Sequence, residues 1–123
     1  MSSSGERFAV ADTVFGQVLV TLRKQRGLEQ GQLAEHSGMS RASLSRLERG
    51  EASANLVALQ SLANALSMTL VDLVQTYENA VRQLREQGVM VASKKEVNTP
   101  DAALGLVGVA ALAVLLAAAL KSK

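Results

Sequence analysis

The chain has 123 residues, of which 48% are apolar and only 2% aromatic, and a net charge of +2 at pH 7. Cysteine is absent, which excludes disulfides and thiolate sites, and the single histidine, His36, argues against a catalytic dyad or a zinc cluster. We therefore expect an all-α protein with a core of Leu, Val and Ala, and no catalytic activity, cofactor or metal.

A flexible tail over residues 1–12 and a first helix are predicted at the amino terminus. The tail lacks the apolar stretch of a signal peptide, so we expect this end of the chain to stay in the cytoplasm. Asp12 or Thr13 is placed to act as the N-cap of the helix, and Gly27 to end it. The apolar face of this helix recurs at three- and four-residue spacing and consists of Phe15, Val18, Leu19 and Leu22.

Two short helices follow, with only three residues between them. The second runs from about Gln30 to Ser37, and the third begins at Ser40, a good N-cap, and continues to Gly50. Their inward positions are Leu33, Ala34, Leu44 and Leu47. Such a tight corner fixes the angle between the two helices, as a DNA-reading helix-turn-helix requires.

A fourth helix is capped by Asn55, and a fifth begins at a pair typical of a capping box, Thr69 and Asp72. The predicted inward face of the fourth helix consists of Leu56, Leu59, Leu62, Ala63 and Leu66. We place the compact domain at residues 13–77 and treat residues 78–93 as an extension of the fifth helix. Within that extension, residues 89–92 fit either a short strand or a connector.

The fifth helix carries a seam of apolar residues that alternates four- and three-residue spacing. The seam consists of Leu70, Val74, Tyr77, Val81 and Leu84. We interpret it as a dimerisation surface, because its second half lies beyond the compact domain. A helix that lies on its own domain would show the same pattern.

Residues 28–35 read LEQGQLAE and residues 38–50 read GMSRASLSRLERG, and together they closely resemble the Xre/Cro–cI family. The resemblance covers about residues 15–74. It implies a five-helix, lambda-repressor-like domain, here with an extended fifth helix and a C-terminal apolar helix. It also implies binding of double-stranded DNA by the third helix, which enters the major groove. The charge agrees, since residues 23–49 contain six basic and three acidic side chains, an excess of +3 that attracts a polyanion.

The resemblance also suggests which side chains contact DNA. Gln30 and Ser40 match positions that contact phosphates, and helix amino termini favour anions. The outward arc of the third helix is expected to read bases and consists of Arg41, Ala42, Ser43, Ser45 and Arg46. Arg41 and Arg46 are the leading candidates, because arginine pairs bidentately with a guanine edge.

Two further family positions are structural, and two others depart from the family pattern. Arg23 and Glu48 match positions that pair between the first and third helices, where loss of one partner would leave a charge unpaired. Glu29 replaces the usual Ser or Thr before the second helix, so we expect a weaker cap there. Gly31 costs about 1 kcal/mol of helix propensity relative to alanine. We therefore expect modest affinity per protomer and a need for two subunits on a two-fold operator.

The carboxy-terminal part begins with a polar linker at residues 94–101 and ends with a short tail at residues 121–123. Between them, residues 102–120 contain no charged or hydrogen-bonding side chain. A helix of this length spans about 28 Å, close to the hydrocarbon core of a bilayer at about 30 Å. We interpret it as a transmembrane helix, since a small domain has no place to bury it. An oligomer core built from several such helices is the alternative.

These observations favour a homodimeric transcriptional regulator, most simply a repressor, anchored in the inner membrane by residues 102–120 with its DNA-binding domain in the cytoplasm. The alternative is a membrane-anchored helix-turn-helix protein that binds a protein partner, as cytoskeletal anchors do. Substitution of Arg41 and Arg46 distinguishes the two functions, because only DNA reading depends on both.

Overall fold

The computed structural model describes residues 7–93 and 105–121, with side chains as far as residue 117. Six helices and two strands lie in these ranges. In chain order they are β1 (Arg7–Val10), α1 (Ala11–Gln25), α2 (Gln30–Ser37), α3 (Arg41–Glu48), α4 (Leu56–Ala65), α5 (Leu70–Glu86), β2 (Val89–Ala92) and α6 (Val109–Lys121). The all-α, five-helix prediction is confirmed, with a small sheet added at its side.

The core forms where the apolar faces of α1 to α5 meet. The predicted inward residues of the first three helices are buried, with Phe15 partly so. In α4, Leu62, Ala63 and Leu66 are fully buried, but Leu56 is 68% exposed, so its predicted inward position is wrong. Leu56 occupies the first turn of α4, which extends beyond the core.

Side-chain caps set the starts of α4 and α5 as the sequence predicts. Asn55 Oδ1 accepts a hydrogen bond from the Ala58 amide at 2.8 Å. Thr69 Oγ1 accepts from the Asp72 amide at 3.0 Å, and the Asp72 carboxylate accepts from the Thr69 amide at 3.4 Å. These bonds satisfy amides that have no partner inside the helix.

The amino-terminal prediction is wrong from residue 7 onward. Residues 7–10 form β1, which pairs in parallel with β2, so that Phe8 lies opposite Met90. Helix α1 therefore begins at Ala11 with Val10 at the N-cap position, and neither Asp12 nor Thr13 caps it. The strand alternative for residues 89–92 is confirmed, and burial of Ala9 and Val89 shows which face of the sheet meets the core.

The predicted seam on α5 divides between two environments. Leu84 is fully buried in its own protomer, where β2 and α6 pack against α5, so its assignment to a dimer interface is wrong. The Tyr77 ring meets the Phe15 ring edge-on, with 6.2 Å between centroids. Val74, in contrast, remains 43% exposed. The second half of α5 thus lies on its own domain, as the alternative interpretation held.

The carboxy-terminal helix differs from the prediction in length and in place. Residues 105–108 are not helical, and Leu106 instead bridges to Phe8 of β1, so a continuous helix over 102–120 is wrong. The 13-residue α6 packs on α1 and α5, and its Leu112 and Leu116 are fully buried. Of the helices in the described ranges, none alone has the length and apolarity to cross a membrane, and only α4 and α5 together do, with a bend of 97° between them.

Gly16 allows α1 to touch the end of α3. A Cβ atom at this position would lie 2.5 Å from the carbonyl oxygens of Leu47 and Glu48, well inside van der Waals contact. Gly16→Ala is therefore expected to lower the free energy of unfolding by about 1–3 kcal/mol, because backbone must move to make room. Urea denaturation followed by circular dichroism measures this loss.

Gly31→Ala is the matched control for that substitution. Gly31 also lies in a helix, but a Cβ there would meet nothing within 4 Å. It should stabilise the protein by up to about 1 kcal/mol through helix propensity alone. Equal stability of the two alanine variants would show that α1 and α3 are not in close contact.

Candidate nucleic-acid interface

The corner between α2 and α3 holds the third helix at the surface. Gly38 has a left-handed backbone with φ of 74°, and its amide bonds back to the carbonyls of Ala34 and Glu35. Ser40 then caps α3, since its Oγ accepts a hydrogen bond from the Ser43 amide at 3.0 Å. The chain reverses within three residues, and the amino terminus of α3 points outward with Ser40 exposed.

The outward arc of α3 presents the residues predicted to read bases. Arg41, Ala42 and Arg46 are exposed, whereas Leu44 and Leu47 are buried. The remaining two, Ser43 and Ser45, are half-buried and already bonded: Ser43 Oγ accepts from Ser40 Oγ at 2.9 Å, and Ser45 Oγ accepts from the Arg49 guanidinium. The two arginines are therefore the side chains with the greatest reach on this surface.

Arg23 and Glu48 meet beneath that surface in a bidentate ion pair. Arg23 Nε donates to Glu48 Oε2 at 2.7 Å, and Nη2 donates to Oε1 at 3.1 Å. Arg23 is 12% and Glu48 4% exposed, so the pair is largely shielded from water. Arg23 also donates to the carbonyl of Leu28 at 3.0 Å. One guanidinium thus connects α1, α3 and the segment before α2.

Gln30 links this buried pair to the exposed surface. Its Nε2 donates to Glu48 Oε1 at 2.9 Å, and its Oε1 accepts from Arg41 Nε at 3.4 Å. The predicted phosphate ligand therefore also restrains a predicted base reader. A side chain that is held in place before binding loses less conformational entropy when it meets DNA.

Two features of the interface were not predicted from the sequence. Glu29, expected to be a weak cap, forms a complete capping box, because its side chain accepts from the Gln32 backbone amide and Gln32 Oε1 accepts from the Glu29 amide at 2.7 Å. Arg49, just after α3, bonds to both carboxylate oxygens of Glu51 at 3.0 Å. These hydrogen bonds and the attraction to Glu51 raise the pKa of Arg49. The first feature could have been predicted, because Glu29 is followed three residues later by Gln32, which is the spacing of a capping box.

A second surface lies between the start of α1, the segment before α4, and α5. It contains a cleft of about 200 Å³, lined by Ala11, Asp12, Phe15, Ser53, Ala54, Leu59, Val74 and Tyr77. Asp12 accepts a hydrogen bond from Ser53 Oγ at 2.8 Å at one edge of the cleft. Burial of Tyr77, together with the nearby Glu78 and Asp12 carboxylates, raises the pKa of its hydroxyl.

Apolar side chains continue outward from this cleft on two helices. Leu59 and Val74 line it, and one helical turn away lie Leu56, 68% exposed, and Val71, 74% exposed. Val57, beside Leu56, is also 74% exposed. We call the group formed by Leu56, Val57, Val71 and Val74 the α4–α5 patch.

Comparison with known proteins identifies related sequences and structures. Residues 19–73 match the HTH_3 helix-turn-helix family model. An uncharacterized HTH-type transcriptional regulator, y4dJ, of Sinorhizobium fredii (strain NBRC 101917 / NGR234) is 39% identical over 59 residues, which cover 48% of this chain and 77% of that protein.

Two solved structures are similar to this chain over half of its length or more. The restriction-modification controller protein C.AhdI from Aeromonas hydrophila is 39% identical, with a TM-score of 0.49, over 50% of this chain and 94% of that one. The clp gene regulator ClgR from Corynebacterium glutamicum is 27% identical, with a TM-score of 0.58, over 63% of this chain and 82% of that one.

Proposed function

The chain belongs to the HTH_3 helix-turn-helix family of transcriptional regulators, and on that premise we propose that α3 reads the major groove of an operator and that the protein acts as a homodimeric repressor. The observation that carries the proposal is the exposure of Arg41 and Arg46 on one arc of α3, above a buried ion pair that fixes the helix. Guanidinium groups placed in this way match the donor and acceptor pattern of guanine. A protein bound to an operator can block transcription without contacting any other protein, so repression is the simplest outcome.

Phosphate contacts would orient the domain on the duplex. The amides at the start of α3 and Gln30 at the start of α2 present donors at two helix amino termini, and the Ser40 hydroxyl would turn from Ser43 Oγ to a phosphate. These contacts carry no sequence information, so they supply affinity while the arginines supply discrimination. The proposed place of action is the cytoplasm, where the DNA lies.

Selection of bound fragments from random double-stranded DNA tests the function directly. We expect enrichment of an inverted repeat whose half-sites contain guanine and whose centres lie about one helical turn, roughly 34 Å, apart. Recovery of no enriched sequence by a folded protein would favour the alternative of a protein partner for the same helices.

We assign the dimer interface to the α4–α5 patch, which keeps Val74 of the seam predicted from sequence and leaves out the buried Leu84. Monomeric proteins rarely expose large apolar patches, and these four exposed residues lie on two helices that share a mainly apolar cleft, which an apolar side chain from a second copy would fill. Two copies related by a two-fold axis would bury the same residues on both sides. The symmetry of the dimer would then match that of the operator.

Val71→Glu is expected to convert the dimer into a monomer, because each interface would bury an unpaired carboxylate. Sedimentation velocity measures the change in mass. The variant should bind a single half-site as tightly as the native protein does. It should bind a two-fold site at least about tenfold more weakly than the native dimer, because binding of one subunit holds the second subunit at a high effective concentration beside its half-site.

Gln25→Glu, at an exposed position on α1, provides the matched charge control and should remain dimeric. A dimer that survives Val71→Glu would exclude the α4–α5 patch as the interface. The DNA-reading assignment would not be affected by that result.

A further inference from the structure

Helix α6 has an apolar outer face as well as an apolar inner one. Every residue from Val109 to Leu120 is Ala, Val or Leu. Leu112 and Leu116 are fully buried on the domain, yet Val114 is 71% and Val109 48% exposed. A surface helix of a globular protein normally turns polar residues to solvent, and α6 has none before Lys121 at its last position. Its outer face is therefore suited to an apolar environment.

The chemistry of this face fits lipid better than protein. Its exposed members are Val109, Ala110, Ala111, Val114 and Ala117. Hot spots of protein interfaces are enriched in Trp, Tyr and Arg. Aromatic rings line the cleft beside the α4–α5 patch, at Phe15 and Tyr77, whereas the exposed members of this face are Val and Ala alone. Acyl chains require no hydrogen-bonding partner and no complementary shape, so short aliphatic side chains are sufficient.

The lysines around the apolar run point to the same partner. Lys94 and Lys95 precede it in the sequence and Lys121 and Lys123 follow it, against the two carboxylates Glu96 and Asp101, so that residues 94–123 carry a net charge of +2. Lysines beside an apolar segment place their stems along it and their ammonium groups at phosphate headgroups.

We infer that the outer face of α6 binds the surface of a bilayer that contains anionic phospholipids, with the helix lying in the interface and not crossing it. The 13 residues of α6 span about 20 Å, which is short of a hydrocarbon core of about 30 Å. Leu112 and Leu116 keep their packing on the domain in this arrangement. The bilayer surface is contacted by α6, whereas the candidate DNA surface belongs to α2 and α3, so the inference does not depend on the proposed function.

Co-sedimentation of the full chain with lipid vesicles tests the inference. Vesicles of phosphatidylcholine mixed with phosphatidylglycerol should retain the protein, and pure phosphatidylcholine should retain it much less, because about 1 kcal/mol of attraction per lysine is lost. Val114→Glu should weaken retention at least about tenfold, since it places a carboxylate among acyl chains. Gln60→Glu adds the same charge at an exposed position on α4, whereas α6 packs on α1 and α5, and should bind as the native protein does.

Val114 is largely exposed, so its substitution should not disturb folding, and Ala117→Glu on the same face provides a second variant. Equal retention of native and variant proteins would overturn the inference, as would no retention on either kind of vesicle. If Val114→Glu is a monomer where the native protein is a dimer, and the native protein does not bind vesicles, the face contacts a second copy of the chain. That result would overturn the inference as well.

Discussion

Glu48→Ala is expected to lower the free energy of unfolding by about 3–5 kcal/mol, because it leaves the buried guanidinium of Arg23 without its partner. Glu48 is 4% exposed and accepts two bonds from Arg23 and one from Gln30, so three donors lose their acceptor at once. For a domain of this size the melting temperature should fall by more than about 10 °C. Thermal unfolding followed by circular dichroism at constant pH and salt measures the change.

Two comparisons separate the cost of the unpaired charge from the cost of lost packing. Arg23→Met combined with Glu48→Leu removes both charges and keeps the volume, so most of the stability should return. Arg49→Ala, which breaks the exposed pair with Glu51, should leave the melting temperature nearly unchanged, because water screens that pair. If the double variant is as unstable as Glu48→Ala, the loss comes from packing and the ion pair has no special role.

The fold of residues 11–86 follows largely from local signals. Helix starts at Ser40, Asn55 and Thr69 coincide with side-chain caps, and glycines close α1, α2 and α3 within a residue or two of the predicted ends. The inward faces of α1 to α3 follow from their periodicity. Capping and periodicity act within a few residues along the chain, so one sequence suffices to predict them.

Features that depend on distant partners were not predictable in the same way. β1 and β2 are separated by 82 positions in their register, and although residues 89–92 fit a strand, nothing in either run indicates the other as its partner. Gly16 matters only because two carbonyls of α3 approach it. For α6, apolarity alone does not reveal whether a helix packs on lipid or on protein, and the exposed and buried sides differ little in composition.

The candidate DNA-binding surface likewise contains residues that the sequence predicts and contacts that it does not. The family motif placed Arg41, Arg46 and Ser40 on one surface, and burial of Leu44 and Leu47 follows from helical spacing. The link from Arg41 through Gln30 to Glu48 joins residues 11 and 18 positions apart, and depends on the angle between α2 and α3. Side-chain rotamers of that kind are set by tertiary packing, which the spacing of residue types does not specify.

Arg41→Ala combined with Arg46→Ala should weaken binding to a selected operator by about 100-fold or more, since each bidentate contact with guanine contributes about 1–3 kcal/mol. Both side chains are exposed, so the variant should remain as stable as the native protein. Fluorescence anisotropy with the selected operator, at one fixed salt concentration, measures the affinity. Gln30→Ala should give a smaller loss, because it removes a phosphate donor and the restraint on Arg41 but no base contact.

Lysine substitutions distinguish base reading from simple attraction to the DNA backbone. Arg46→Lys keeps the charge but lacks the planar fork, so it should retain binding to unrelated DNA while the preference for guanine is lost. Arg82→Ala removes an exposed charge from α5 and should bind the operator as the native protein does. If operator affinity is the same with and without the arginines of α3, groove reading by this helix is wrong. The exposed arc would then be available to a protein partner.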